Sequence, residues 1–181
     1  MVGKNRHNRA IHEASHAVIA RKLDVPVPRV TVTGSAQAEA VSAAYYADKS
    51  DVAAWIVGYE TDAKIALAGL AANRIEHPHL RVFELLEDDG DTANARSAIY
   101  RIVRLNAGEP GIASDKSVFV SVDPDTHRQM DAEYRRLVGE TAKLVHQYWP
   151  AIRRVAKHLE RHDEVDQAEL DRLIDVGMRN L

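Results

Sequence analysis

The sequence predicts a mainly α domain with a small β-hairpin or sheet beside its first helix, and three observations lead there. Apolar residues recur at helical spacing through most of the 181 residues. Alternation of apolar and polar residues is confined to one short stretch after the first helix. Breaks bearing proline or glycine separate the helical stretches at lengths ordinary for globular helices.

From about Asn5 to Leu23, the residues Ala10, Ala14, Ala17, Val18 and Leu23 mark a helix, which Asp24-Val25-Pro26 and Pro28 end. In Arg29 to Thr33, Val30 and Val32 alternate with polar residues. Gly34-Ser35 then supplies a turn into a second strand within Ala38 to Tyr46. Ser50-Asp51 reads as an N-cap for a helix running to about Ile75. Its stretch from Ile65 to Ala72 is nearly all small or aliphatic, so it should be deeply buried. His77-Pro78 breaks that helix. The acidic run Glu87-Asp88-Asp89-Gly90-Asp91 precedes a helix from Thr92 to about Leu105, and Asn106 to Gly111 is a loop. Ser114 to Val122 carries no decisive pattern. Asp123-Pro124 starts another long helix, Pro150 begins a further one, and Gln167 to Met178 holds the last.

The composition excludes several classes of function. At 45% hydrophobic and 28% charged, the chain can bury a core of its own. It has no cysteine, which removes disulfides, thiolate metal sites and cysteine catalysis and is compatible with a reducing cytosol. A net charge of −3 argues against a general nucleic-acid binder. The local basic clusters, Lys4 to Arg9 and Arg153 to Arg161, alternate with apolar positions and read as solvated helix faces. No apolar run approaches the ~20 residues of a membrane span. The first residues, MVGKNRHNRA, hold no hydrophobic signal core. The expectation is a soluble cytoplasmic chain.

The chemistry is concentrated in Ile11-His12-Glu13-Ala14-Ser15-His16-Ala17, an H-E-x-x-H pattern inside the first helix. Four residues advance a helix by about 400°, so His12 and His16 share one face. That placement lets two imidazoles grip one Zn2+ at ~2.0–2.1 Å each. Glu13 sits beside them, too far round to ligate the same ion. It is placed instead to act as general base on the water that attacks a carbonyl.

A catalytic zinc wants a third protein ligand and one open position. A third histidine six residues beyond His16 is not present, because that position is Lys22. The carboxylates downstream are the candidates. Asp91, which opens a helix after Gly90, leads, with Asp88 and Asp89 as rivals. Acidic residues at a helix start also serve as caps and as macrodipole partners, a role this run fits equally.

On these residues the chain resembles the peptidase domain of the FtsH family, the ATP-dependent membrane metalloproteases. His12 to Ala20, HEASHAVIA, is similar to that family's HEAGHAV. Val27-Pro28-Arg29-Val30-Thr31-Val32 resembles the stretch before its substrate-binding edge strand, and Ala66 to Ala72 its LGGRAAE helix. Asp91-Thr92-Ala93-Asn94-Ala95-Arg96 resembles the NDL-x-x-AT segment that supplies the family's third zinc ligand. Ala151 to Leu173 resembles its closing helices. The middle glycine of the first motif is Ser15 here, Asn73-Arg74 stands where the family has an acidic pair, and Gly90 replaces an asparagine.

The resemblance implies an FtsH-peptidase-like helical domain over residues 1–181, with a catalytic part in 1–122 and a C-terminal helical part in 123–181. It implies His12, His16 and Asp91 as zinc ligands and Glu13 as base. It also implies an edge strand at Ala38, Glu39, Ala40, Val41 and Ser42 to which an extended polypeptide substrate adds by backbone hydrogen bonds. The expectation is that no ATPase module or membrane anchor accompanies these motifs. The expected activity is therefore ATP-independent hydrolysis of unfolded or flexible polypeptides, with no nucleic acid or membrane as partner. The family's rings make a homo-oligomer one expectation. Two rival readings are a regulatory metalloprotease with a single protein target and a zinc-stabilised interaction module without turnover.

Overall fold

The computed structural model describes residues 6–32, 37–38, 51–79, 89–109 and 122–179. Helix α1 (Arg6–Lys22) leads into strands β1 (Arg29–Thr31) and β2 (Gln37–Ala38). Helices α2 (Val52–Glu76), α3 (Asp89–Asn106), α4 (Pro124–Gln147) and α5 (Trp149–His162) follow, then strand β3 (Glu164–Asp166) and helix α6 (Gln167–Met178). The described residues are 81% helical. The mainly α expectation holds, with its small sheet.

Local chemistry explains most boundaries. Asp51 caps α2 by accepting from the backbone N–H of Ala53 at 2.8 Å. Asp123 caps α4, accepting from the N–H groups of Asp125 and Thr126, and Pro124 occupies the first helical turn. Helix α3 begins at Asp89 rather than Thr92, which places Asp91 inside its first turn. Acidic residues are favoured at that end of a helix, so the acidic run extends α3 instead of ending before it.

The sheet has the order β2-β1-β3, antiparallel throughout, with Val30 opposite both Ala38 and Val165. Strand β3 is not foreseen from the sequence, because Glu164-Val165-Asp166 is too short to show a period. Strand β2 lies at the sheet's edge among the described residues. Of the expected substrate strand, only Ala38 falls within it; Glu39, Ala40, Val41 and Ser42 lie outside the described residues.

Helix α2 divides the interior. Ile65, Ala68, Ala71 and Ala72 join a core with α1, β1, β3, α5 and α6. Tyr59, Ala63 and Leu67 join a second core with α3 and α4. A helix buried on both flanks needs apolar residues all round, which is what the Ile65 to Ala72 run provides. The sheet and the larger core take residues from both sides of position 122.

At its N-terminal end α1 is tied to two other helices through His7. One ring nitrogen meets the Glu160 carboxylate of α5, and the other lies 3.1 Å from Glu76 of α2. The hydrogen bond to Glu160, helped by that to Glu76, outweighs partial burial and raises His7 above its ordinary 6.5. A raised folded-state value stabilises fully below 6.5 and is lost as pH climbs through the raised value. The stability gap between the native protein and His7→Gln in urea unfolding should therefore narrow as pH rises from 6.5 through the raised value. It should stay modest, since the ring is half exposed.

Candidate metal centre

Helix α1 presents His12 and His16 on the face turned towards α2 and α3. Ile11, Ala14 and Val18 on its other flank are buried in the larger core, which fixes the helix's rotation about its axis. The imidazoles meet edge to face with centroids 4.6 Å apart, and their Nε2 atoms are 3.0 Å apart. Oδ2 of Asp91, carried in from the first turn of α3, lies 2.9 Å from each of these nitrogens. A tetrahedral ion with bonds of ~2.0–2.1 Å keeps its ligand atoms about 3.3 Å apart, close to this spacing. Among the described residues, His12, His16 and Asp91 form the group that could hold a metal ion. Asp91 is thus turned onto the histidines and away from a capping role. Asp88 lies outside the described residues.

The chain's own groups prepare the two rings. Nδ1 of His16 lies 2.7 Å from the carbonyl oxygen of Ile65. A carbonyl can only accept, so Nδ1 carries a proton and Nε2 is the nitrogen that faces the centre, able to ligate once its own proton is displaced. His12 Nδ1 lies 3.4 Å from the side-chain amide of Asn73. For Nε2 of His12 to ligate, its proton must sit on Nδ1, and the amide then turns its oxygen to accept it. Ser15, where the resembling family has glycine, donates to the carbonyl of His12 at 2.6 Å and stays within the helix. The serine is accommodated without disturbing the face.

The electrostatics favour a cation. Burial opposes charge on His16, but hydrogen bonding and attraction to Asp91, with help from the charge of Glu13, raise it to about 9. Burial likewise opposes charge on Asp91, and the two histidines overcome it and hold its carboxyl well below the usual carboxylate range. The same negative potential that keeps a proton on His16 attracts a divalent ion. Two imidazole nitrogens and a carboxylate oxygen are donors that zinc accepts readily. Glu13 is 7% exposed on α1, and its negative charge reaches His16.

Helix α2 contributes through Ile65, Gly69 and Asn73, spaced by four residues along one face. A Cβ at Gly69 would come within 2.3 Å of Cε1 and 2.7 Å of Nε2 of His12. Only hydrogen fits there, so α2 acts as a seat for the ring. Gly69→Ala should keep the fold but displace His12, lowering zinc affinity at least about tenfold, as read by chelator competition. Asn73→Ala should cost about 10- to 100-fold in zinc affinity, while Asn73→Asp, which retains an acceptor, should lose less. These α2 contacts are not assigned from the sequence. A glycine inside an aliphatic helical run was the available signal for Gly69; a backbone carbonyl such as that of Ile65 leaves none.

Other candidates separate from this centre. His77 contacts Asn8 at 3.2 Å and His79 is exposed. His158 and His162 stack with centroids 4.5 Å apart but form no three-ligand group among the described residues. Trp55 stacks on Tyr59 at 5.6 Å, a packing role. No helix of the described residues is long and apolar enough to cross a membrane. No protein-family model matches the chain, and a comparison with curated proteins yields no match.

Proposed function

We propose that this chain is a zinc-dependent endopeptidase of the kind its HEASH motif resembles, acting on unfolded or flexible polypeptides without ATP. The observation that carries the reading is the convergence of Asp91 on His12 and His16, with the carboxylate of Glu13 held on the same helix. His12, His16 and Asp91 would hold the metal. Zinc, when bound, supplies a Lewis acid that polarises a peptide carbonyl and acidifies water. Glu13 takes the proton of the attacking water and passes it to the departing amine. The edge position of β2 supports substrate entry as an added strand, with little demand on side-chain identity.

The test is incubation of the zinc-loaded protein with a fluorescently labelled unfolded protein, in the absence of ATP. Cleavage that stops on chelation and returns on adding one equivalent of zinc is the expected result. No cleavage with zinc bound at one equivalent would overturn the general endopeptidase. A proteome-wide cleavage profile would then separate a protease with one target from a zinc-stabilised interaction module.

A further inference from the structure

The flank of α1 opposite the metal centre borders a groove of about 730 Å³ that runs along α5 towards α6. Four exposed cations of α5, Arg153, Arg154, Lys157 and Arg161, line it. Arg153, Lys157 and Arg161 recur every fourth residue, which sets them in one row about 12 Å long. Among the described residues none of the four has a carboxylate partner. Nearby acids are engaged elsewhere: Glu160 with His7, Asp163 with Arg6, and Glu169 with Arg172.

Nothing internal to the fold explains this row. Like charges four residues apart repel and weaken a helix. The helix macrodipole favours Arg161 in the last turn but does nothing for Arg153 and Arg154, which stand beyond the first turn. Four such cations around a concave surface set up a positive potential that draws an anionic partner towards it.

We propose that this groove binds an acidic segment of a polypeptide. Guanidinium groups pair with carboxylates through parallel hydrogen bonds, and a row of about 12 Å matches a few residues of extended chain. Among the described residues the lining contains no tryptophan, tyrosine or phenylalanine, the stacking platforms on which single-stranded nucleic-acid sites depend. His7 and Ile11 of α1 border the groove, and His12 begins the metal face. A segment held here therefore lies along the helix that carries the metal centre. The binding itself does not depend on catalysis.

The experiment is fluorescence anisotropy with a fluorescein-labelled glutamate-rich peptide, using metal-free protein so that the result is separate from any protease activity. Saturable binding that weakens with salt is expected. The double variant Arg153→Glu/Arg154→Glu should lose at least about tenfold in affinity, with an unchanged thermal transition. Arg135→Glu, an exposed reversal on α4, should bind as the native protein does. Equal affinity of all three proteins would overturn the proposal. So would a single-stranded oligonucleotide of equal charge binding as tightly as the peptide.

Discussion

Asp91→Ala is expected to weaken zinc binding by more than about 100-fold, beyond what loss of a supporting hydrogen bond around a metal costs. The substitution removes one of three donors and the only one that carries negative charge. The two Nε2 donors, 3.0 Å apart, then hold the ion with neither a third ligand nor a negative charge beside it. Asp88→Ala and Asp89→Ala should weaken binding far less, since among the described residues it is Asp91 that completes the group with the two histidines. Competition against a chromophoric chelator measures all three. Undiminished affinity in Asp91→Ala, or a large loss in Asp89→Ala, would move the third ligand elsewhere along the acidic run.

Glu13→Gln should leave one zinc bound and slow peptide hydrolysis by about 10²- to 10⁴-fold, the range a positioned general base supplies. Glutamine matches the shape of glutamate, so the packing around this nearly buried residue survives. What it lacks is a site for the proton. The variant also removes a negative charge that acts on His16, so its effect on zinc affinity should be a small weakening, in contrast with Asp91→Ala. Cleavage at the native rate by Glu13→Gln would refute the base assignment while leaving the metal centre intact. Loss of zinc together with activity would instead make Glu13 part of the metal's hold.

How far these residues could be read in advance follows from the range of each interaction. The helices were legible because their signals are local: a capping aspartate at 51 or 123, a proline after the second of these, apolar residues every third or fourth position. His12, Glu13 and His16 were legible for the same reason, since one turn of helix sets their relation. Asp91 led three closely placed carboxylates because it opens a helix after Gly90, and the resemblance to a protease family pointed to it as well. The geometry of α3 against α1 places its Oδ2 between the two rings. Strand β3 was invisible because three residues show no period, and it forms only where β1 offers its free edge.

By itself, then, the sequence determined the helix content, the helix that carries the paired histidines and the absence of thiolate chemistry. Only the tertiary structure decided what surrounds those histidines. The seat at Gly69, the carbonyl of Ile65 and the amide of Asn73 lie some fifty to sixty positions away along the chain. They meet the rings because α2 is buried on both flanks and has no freedom to turn. The basic row of α5 shows the same division: its charges are plain in the sequence, but their lack of carboxylate partners among the described residues depends on which helices pack beside them.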